Sequence, residues 1–260
     1  MKKQTRAAFA IGAATLLGLS ACAAGGDNTA AGDAPENKDL TIAVFNGWPE
    51  GEAVSFLWKA ILEDKGYNVE LEYADVTPIF SGLSTGDYDI TLDGWLPATH
   101  ASLMEKYGET IEDLGAWNTE AGLTIAVNED APIDSLEELA ANADAFQNRI
   151  VGIEPGAGLT EAVLTKTMPT YGLDGMELLT SSTPAMLAEL QAALDNGENI
   201  AVTLWRPHWA YDAFPIRDLA DPEFTLGEAE GIHSFARDTL SDEMPQVTDW
   251  ISGFKMDSEL

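Results

Sequence analysis

The chain has 260 residues and a formal charge of −31 at pH 7, from 13 basic and 44 acidic side chains. Its length suits one large domain or two small ones, and 45% hydrophobic content supports a sizeable core. The charge excludes a phosphate-binding footprint and a polybasic membrane patch, so nucleic acid is not an expected partner. Three basic residues, Lys2, Lys3 and Arg6, stand in the first 21 positions, which hold no acid. Without them, 10 basic residues remain against 44 acidic ones, a charge of −34. Such a surface keeps a protein solvated and soluble; adaptation to a salty medium is a sharper reading of the same fact.

Residues 1–21 have the form of a secretory targeting segment. Lys2, Lys3 and Arg6 make the basic region, and Ala7 to Leu19 is an apolar run too short for a membrane span. It ends in Leu19-Ser20-Ala21-Cys22, and Cys22 is the only cysteine. This resembles the lipobox of bacterial lipoproteins, whose cysteine becomes the lipidated first residue of the mature protein. The resemblance implies a lipid anchor at Cys22 and a location on the extracytoplasmic side of the cell membrane, with no other membrane contact. A single cysteine also excludes an internal disulfide. Residues 22–38, rich in Ala, Gly, Asp and Asn, read as a flexible tether.

After the tether, Leu40-Thr41-Ile42-Ala43-Val44-Phe45 reads as a strand leading into Asn46-Gly47-Trp48-Pro49-Glu50-Gly51. Val54, Leu57, Trp58, Ile61 and Leu62 then recur at helical spacing as one apolar stripe, which makes Trp58 a core residue; Gly66 is the stop. Val69, Leu71 and Tyr73 alternate with Glu70 and Glu72 as a second strand. Thr77-Pro78 opens a short helix, with Pro at its first position, and Gly86 closes it. Tyr88-Asp89-Ile90-Thr91-Leu92 is a third strand, followed by Gly94-Trp95-Leu96-Pro97-Ala98-Thr99-His100 and a helix over 102–107. Strand–helix alternation of this kind indicates a parallel sheet. Gly122 to Val127 is a further strand, and the chain is expected to cross to a second lobe just after it, so that lobe I spans 39–127.

The second lobe, 128–212, repeats the alternation. Ser135 with Glu138 forms a capping box before Leu136 and Leu139. Arg149 to Ile153 is a strand; Glu154-Pro155-Gly156-Ala157-Gly158-Leu159-Thr160 follows and opens a helix to about Met168. Glu177 to Thr180 reads as a strand, and Pro184 to Asn196 as a helix with Leu187, Leu190 and Leu194 inward and Gly197 as its stop. Ile200 to Thr203 is the last strand, ending in Leu204-Trp205-Arg206-Pro207-His208-Trp209, a partner to the Trp95 stretch. Residues 213–260 are expected to return to lobe I through a tail helix carrying Met244, Val247, Ile251 and Phe254.

Trp48, Trp95 and Trp205 each follow the end of an apolar strand, where ligands bind in open α/β sheets. Three tryptophans in one context suggest an aromatic-lined pocket. Loop 154–160 leads into a helix N-terminus, whose free N–H groups suit a carboxylate; it lacks the Gly-Lys-Ser/Thr of a phosphate loop. His100 shares a loop with Trp95, and its imidazole is placed to donate to a carboxylate. His208 reads as a local hydrogen-bonding residue and His233 carries no assigned role; no zinc spacing is present, so neither a metal nor a cofactor is expected. Together these residues point to a zwitterion, with a bulky cation on tryptophan faces and a carboxylate on N–H groups.

From Leu40 to Phe254 the chain resembles the glycine betaine/proline betaine-binding proteins of ABC importers, the quaternary-amine-binding family. The resemblance is carried by Gly94–His100, by Gly152–Leu159, by Trp205-Arg206-Pro207-His208-Trp209 and by Gly227-Glu228-Ala229-Glu230-Gly231-Ile232-His233. It implies an α/β, two-lobed periplasmic-binding-protein-like fold (type II). Each lobe is then a mostly parallel sheet flanked by helices, with the ligand in the cleft. It implies a cage of Trp48, Trp95 and Trp205 around a trimethylammonium group. The carboxylate falls to the backbone N–H groups of Gly158 and Leu159 and to His100. Its partners are then glycine betaine or a related quaternary amine and a membrane permease, with the protein a monomer that catalyses nothing. Choline or carnitine is the rival ligand, and an α/β enzyme acting on a small zwitterion the rival class. For that enzyme, Asp93 and Glu154 stand near the loops but lack an activating partner at a defined spacing. Two departures from the family pattern stand out: Arg206 occupies a position where Thr is common, which bears on the pocket rim, and the chain ends at Leu260, earlier than the pattern leads one to expect.

Overall fold

The structure, a computed structural model, describes residues 38–257. The targeting segment, Cys22 and the tether up to residue 37 lie outside the described residues. The chain runs β1 (Asp39–Phe45), α1 (Pro49–Asp64), β2 (Asn68–Ala74), α2 (Val76–Thr85), β3 (Ile90–Leu96), α3 (Ala101–Tyr107) and β4 (Ile111–Asn128). It continues with β5 (Arg149–Val151), α4 (Gly158–Ala162), α5 (Met168–Thr170), β6 (Glu177–Leu179), α6 (Thr183–Asn196), β7 (Ala201–Arg206), α7 (Ala210–Ala213) and β8 (Ile216–Asp218). Last come β9 (Glu230–Arg237), α8 (Leu240–Glu243) and α9 (Pro245–Ser252). A π-helical turn, Val163–Thr167, joins α4 to α5.

The strands are ordered β2-β1-β3-β9-β4-β7-β5-β6, with β8 also on β4. Strands β2, β1 and β3 pair in parallel, as do β6, β5 and β7. These are the two strand–helix repeats expected from the sequence. The sheet is mixed because β9 and β4 join the repeats through antiparallel pairings. β1 is central and its residues 42–45 are buried on both faces, whereas edge strand β2 turns Glu70, Glu72 and Tyr73 outward.

The expected elements recur, with shifts that have local causes. Helix α1 begins with Pro49 and carries Glu50 and Glu52 in its first turn, which suits the positive end of the helix. Its buried arc is Gly51, Val54, Ser55, Trp58 and Leu62, while Leu57 is exposed at 41%. Gly51 causes the rotation: a methyl there would sit 2.3 Å from Asp93 Oδ2, so only glycine lets α1 close on β3 at this angle. Helix α2 starts at Val76, placing Pro78 third, and ends as expected at Gly86 in the left-handed region. In α6, Ser182 caps the N-terminus through Ala185 N–H, and Gly197 stops the helix. Its buried residues are Thr183, Met186, Leu190 and Ala193; Leu187 and Leu194 sit at the flank of that face. The Ser135/Glu138 capping box is present and opens a 3-10 turn.

Two features of the strand pairing bear on where the halves of the sheet meet. Strand β4 has 18 residues; Ala121 pairs with Glu230 on β9, and Gly122 already pairs with Arg206 on β7. The crossing therefore lies at 121/122, and segment 122–127 belongs to the second half. The first half of β4 was unread because its register shifts three times against β9, with Gly115 at φ +96°, and each shift breaks the alternation that marks a strand. The return is also later than 213: β8 still pairs with β4, and Ala220 N donates to Asp134 O, so the chain rejoins the first half at β9. The tail packs there as expected. Met244, Val247 and Ile251 are buried, Phe254 lies 5.6 Å from Trp58, and Met256 N donates to Trp117 O at 2.8 Å.

No helix among the described residues is long and apolar enough to cross a membrane.

Candidate functional site

The parallel strands deliver their C-terminal ends to one place. Trp95 stands on β3 and Trp205 on β7, both inside the strands rather than in the loops beyond them; Trp48 is the N-cap residue of α1. The peptide bonds Leu96–Pro97 and Arg206–Pro207, which follow the two strand tryptophans, are both cis. Trp48 and Trp205 have ring centroids 5.9 Å apart. With Trp95 and Leu159 they line a tight cavity of about 10 Å³ whose walls also include Glu50, Thr99, Leu123 and Ile153. The cavity draws on both halves of the sheet. Asp93 Oδ1 accepts from the Trp95 indole N–H at 2.8 Å and so fixes that ring.

His100 sits behind this wall. Its ring stacks on Trp48 at 5.9 Å and 7°, and meets Phe45 and Phe80 edge-on at 5.8 and 5.3 Å. It is fully buried, and burial lowers its pKa to about 3, so the imidazole is neutral. Nδ1 accepts the Trp95 backbone N–H at 2.9 Å, which leaves the proton on Nε2, and Nε2 has no protein partner. The ring is a donor held against a tryptophan. The turn before it is clamped by Glu230 on β9. One carboxylate oxygen accepts the N–H groups of Ala98 and Thr99 at 2.8 and 2.9 Å, and the other accepts the Thr99 hydroxyl.

Gly158 and Leu159 begin α4, where the first N–H groups have no intrahelical acceptor. Leu159 lines the cavity, whereas Gly158 lies against the His100 turn: a methyl there would sit 2.3 Å from Thr99 O. Glu154, at the head of the same loop, accepts from Thr183 N and Oγ1 at 2.7 and 3.0 Å. His208 does hydrogen-bond locally, accepting Ala210 N–H at 3.0 Å while its ring packs edge-on to Trp205. His233 pairs with Asp113 at 2.9 Å. Arg206 does not reach the cavity; its guanidinium is held by Asp218 at 2.9 Å and lies over the Tyr211 ring at 3.5 Å.

The sequence gives Glu50 no part in the candidate site and marks Asp93 only as an acid near a loop, yet Glu50 lines the cavity. Glu50 is 8% exposed and Asp93 is 2% exposed. Burial raises the Glu50 pKa to about 7, with the nearby Trp205 indole opposing the shift without reaching hydrogen-bond geometry. Burial, and then the charge of Glu50, hold Asp93 well above the usual carboxylate value. The signal available was an acid two positions after a site tryptophan. Among the described residues no group of three or more His, Cys, Asp or Glu side chains is arranged to hold a metal ion.

Residues 38–260 match the family model described as the substrate-binding domain of ABC-type glycine betaine transport systems (OpuAC). The chain belongs to that family. It is 35% identical over 126 residues to the glycine betaine/carnitine transport binding protein GbuC of Listeria monocytogenes, a match covering 48% of this chain and 41% of that relative. Its structure is similar to that of the glycine betaine/L-proline-binding protein ProX of Borrelia burgdorferi, with a TM-score of 0.81, 30% identity, and 85% and 83% of the two chains covered. It is also similar to lactococcal OpuAC in its closed conformation with glycine betaine, with a TM-score of 0.80, 28% identity, and 85% and 86% covered. The fold of this OpuAC-family chain is thus the periplasmic-binding-protein-like one.

Proposed function

We propose that this chain is the extracytoplasmic substrate-binding lipoprotein of an ABC importer, capturing glycine betaine or proline betaine for osmoprotectant uptake and passing it to a membrane permease. It acts as a monomer, without cofactor and without catalysis. The observation that carries this reading is three tryptophans, from three elements and both halves of the sheet, on one cavity, with the unpartnered His100 Nε2 beside Trp48. Each indole face contributes about 0.5–2 kcal/mol to a quaternary ammonium, the larger value when water is excluded. A carboxylate at the far end takes charge-assisted bonds from His100 and from the first N–H groups of α4. A ligand drawing on both halves favours the closed arrangement. Calorimetry with glycine betaine and choline is the test. Trp95→Ala weakens both ligands, each by tenfold or more. His100→Ala weakens betaine strongly and choline little, because choline leaves the donors unpaired at about 1–3 kcal/mol each. An equal loss for both ligands would remove His100 from the carboxylate site.

Choline is the second reading, favoured by Glu50 in the cavity wall, since a carboxyl group there suits a net cation. The lipid anchor rests on Leu19-Ser20-Ala21-Cys22. Cys22→Ala is expected to move the protein from the membrane to the soluble fraction of cells expressing the full chain. Continued membrane association would end that part of the reading.

A further inference from the structure

One carboxyl group, Glu50, lines the cavity, and a second, Asp93, is buried behind it on β3; neither has a cation beside it. Neither oxygen of Glu50 has a hydrogen-bond partner, and neither does Asp93 Oδ2. The two side chains come from different elements, α1 and β3, and the close approach at Gly51 brings them together. Other groups facing them are neutral. The Trp205 indole lies by Glu50, the Trp95 indole donates to Asp93, and the neutral His100 ring is behind Trp48. The cations on neighbouring elements are committed elsewhere, Lys59 of α1 to Glu63 and Arg206 of β7 to Asp218. Neither Glu50 nor Asp93 enters an ion pair among the described residues. Buried carboxyls without a counter-ion keep their protons, and a second carboxylate alongside reinforces this.

We propose that the Glu50–Asp93 pair is doubly protonated in the ligand-free site and gives up one proton to solvent when a quaternary ammonium ligand binds, so that affinity rises with pH. The inference rests on the reading of the cavity as a quaternary-amine site. The balance is simple: the bound cation brings one positive charge, one proton leaves, and the pair keeps its other proton and a single negative charge. A quaternary ammonium group has no N–H to donate, so it stabilises the carboxylate by charge alone. Glu50, which lines the cavity, is the group that ionises; Asp93, which holds Trp95, retains its proton. The pair thus sets the charge of the pocket to match one cation.

Calorimetry of the full mature chain with glycine betaine and with choline, from pH 5 to 8 in two buffers of different ionisation enthalpy, reads the proton directly. The expected result is nearly one proton released below pH 6. Affinity gains about tenfold per pH unit there, as one linked proton requires, and levels off above about pH 7. Glu50→Gln abolishes both the release and the slope. Asp93→Asn, which replaces a neutral acid with a neutral amide, leaves both the release and its pH window in place. Binding with the same affinity at every pH and the same heat in both buffers would overturn the inference while leaving the quaternary-amine site standing. No binding of either ligand at any pH would instead overturn the site itself.

Discussion

Glu50 and His100 both lie beside the tryptophans, and burial shifts them in opposite directions along the pH axis. Glu50 is raised from 4.5 to about 7, so the folded state binds its proton more tightly than the unfolded chain does. Its stabilising contribution is fully present below pH 4.5 and is lost as pH rises through 7. His100 is lowered from 6.5 to about 3, so the unfolded chain takes up a proton that the folded state refuses; stability is lost as pH falls below 6.5. Glu50→Gln removes the first effect only. The ligand-free variant is therefore expected to match the parent at pH 4.5 and to exceed it by about 3 kcal/mol at pH 8, the free energy of a shift of that size. Thermal melts at the two pH values read this difference as several degrees. Equal melting temperatures at pH 8 would mean that the Glu50 carboxylate is better solvated than its burial implies.

At the level of elements, the decisive contact is between the start of α4 and the turn leaving β3. Glu230 on β9 clamps that turn, and Gly158 presses its Cα against Thr99. Gly158→Ala would place a methyl 2.3 Å from Thr99 O and 2.6 Å from Thr99 Cγ2, and the obstacle is backbone, which cannot swing aside. That clash lies in the fold as it stands, so the variant is expected to lose about 1–3 kcal/mol of stability, the ordinary cost of overpacking. The start of α4 is pushed away from the turn, and glycine betaine affinity should fall at least tenfold in calorimetry. Unchanged affinity would show that α4 and the turn need not meet around the ligand. The same contact explains why Gly158 and Leu159, adjacent in sequence, have separate places: one forms the seam against the turn and the other faces the tryptophans.

Across the whole molecule the −31 charge dominates. Self-repulsion of that size opposes compaction, and salt relieves it, because the screening length falls from about 10 Å at 0.1 M to about 3 Å at 1 M. The melting temperature of the ligand-free protein is expected to rise by several degrees between 0.05 and 1 M NaCl. A flat or falling curve would show that the acids are spaced widely enough not to interact.

The gathering of the three tryptophans was legible because they follow apolar strand ends, and the strand–helix alternation alone orders those ends along one side of a sheet. Trp58 was legible as core through its helical stripe, and His208 as a local hydrogen-bonding residue through its neighbours. Strand β9 and the first half of β4 were not: bulges and interspersed Glu230, His233 and Ser234 erase the period of two, and only pairing across the sheet shows them. His100 illustrates the division. Its place beside Trp95 is a matter of spacing, but its neutral charge and its free Nε2 follow from Phe45, Phe80 and Trp48 closing around it. Glu50 is the sharper case. In sequence it is an acid in a helix's first turn, where a carboxylate is ordinarily solvated and favoured by the helix dipole. The packing of α1 on β3, permitted by Gly51, takes that carboxyl out of water and sets it beside Asp93, a change of environment that no local pattern encodes.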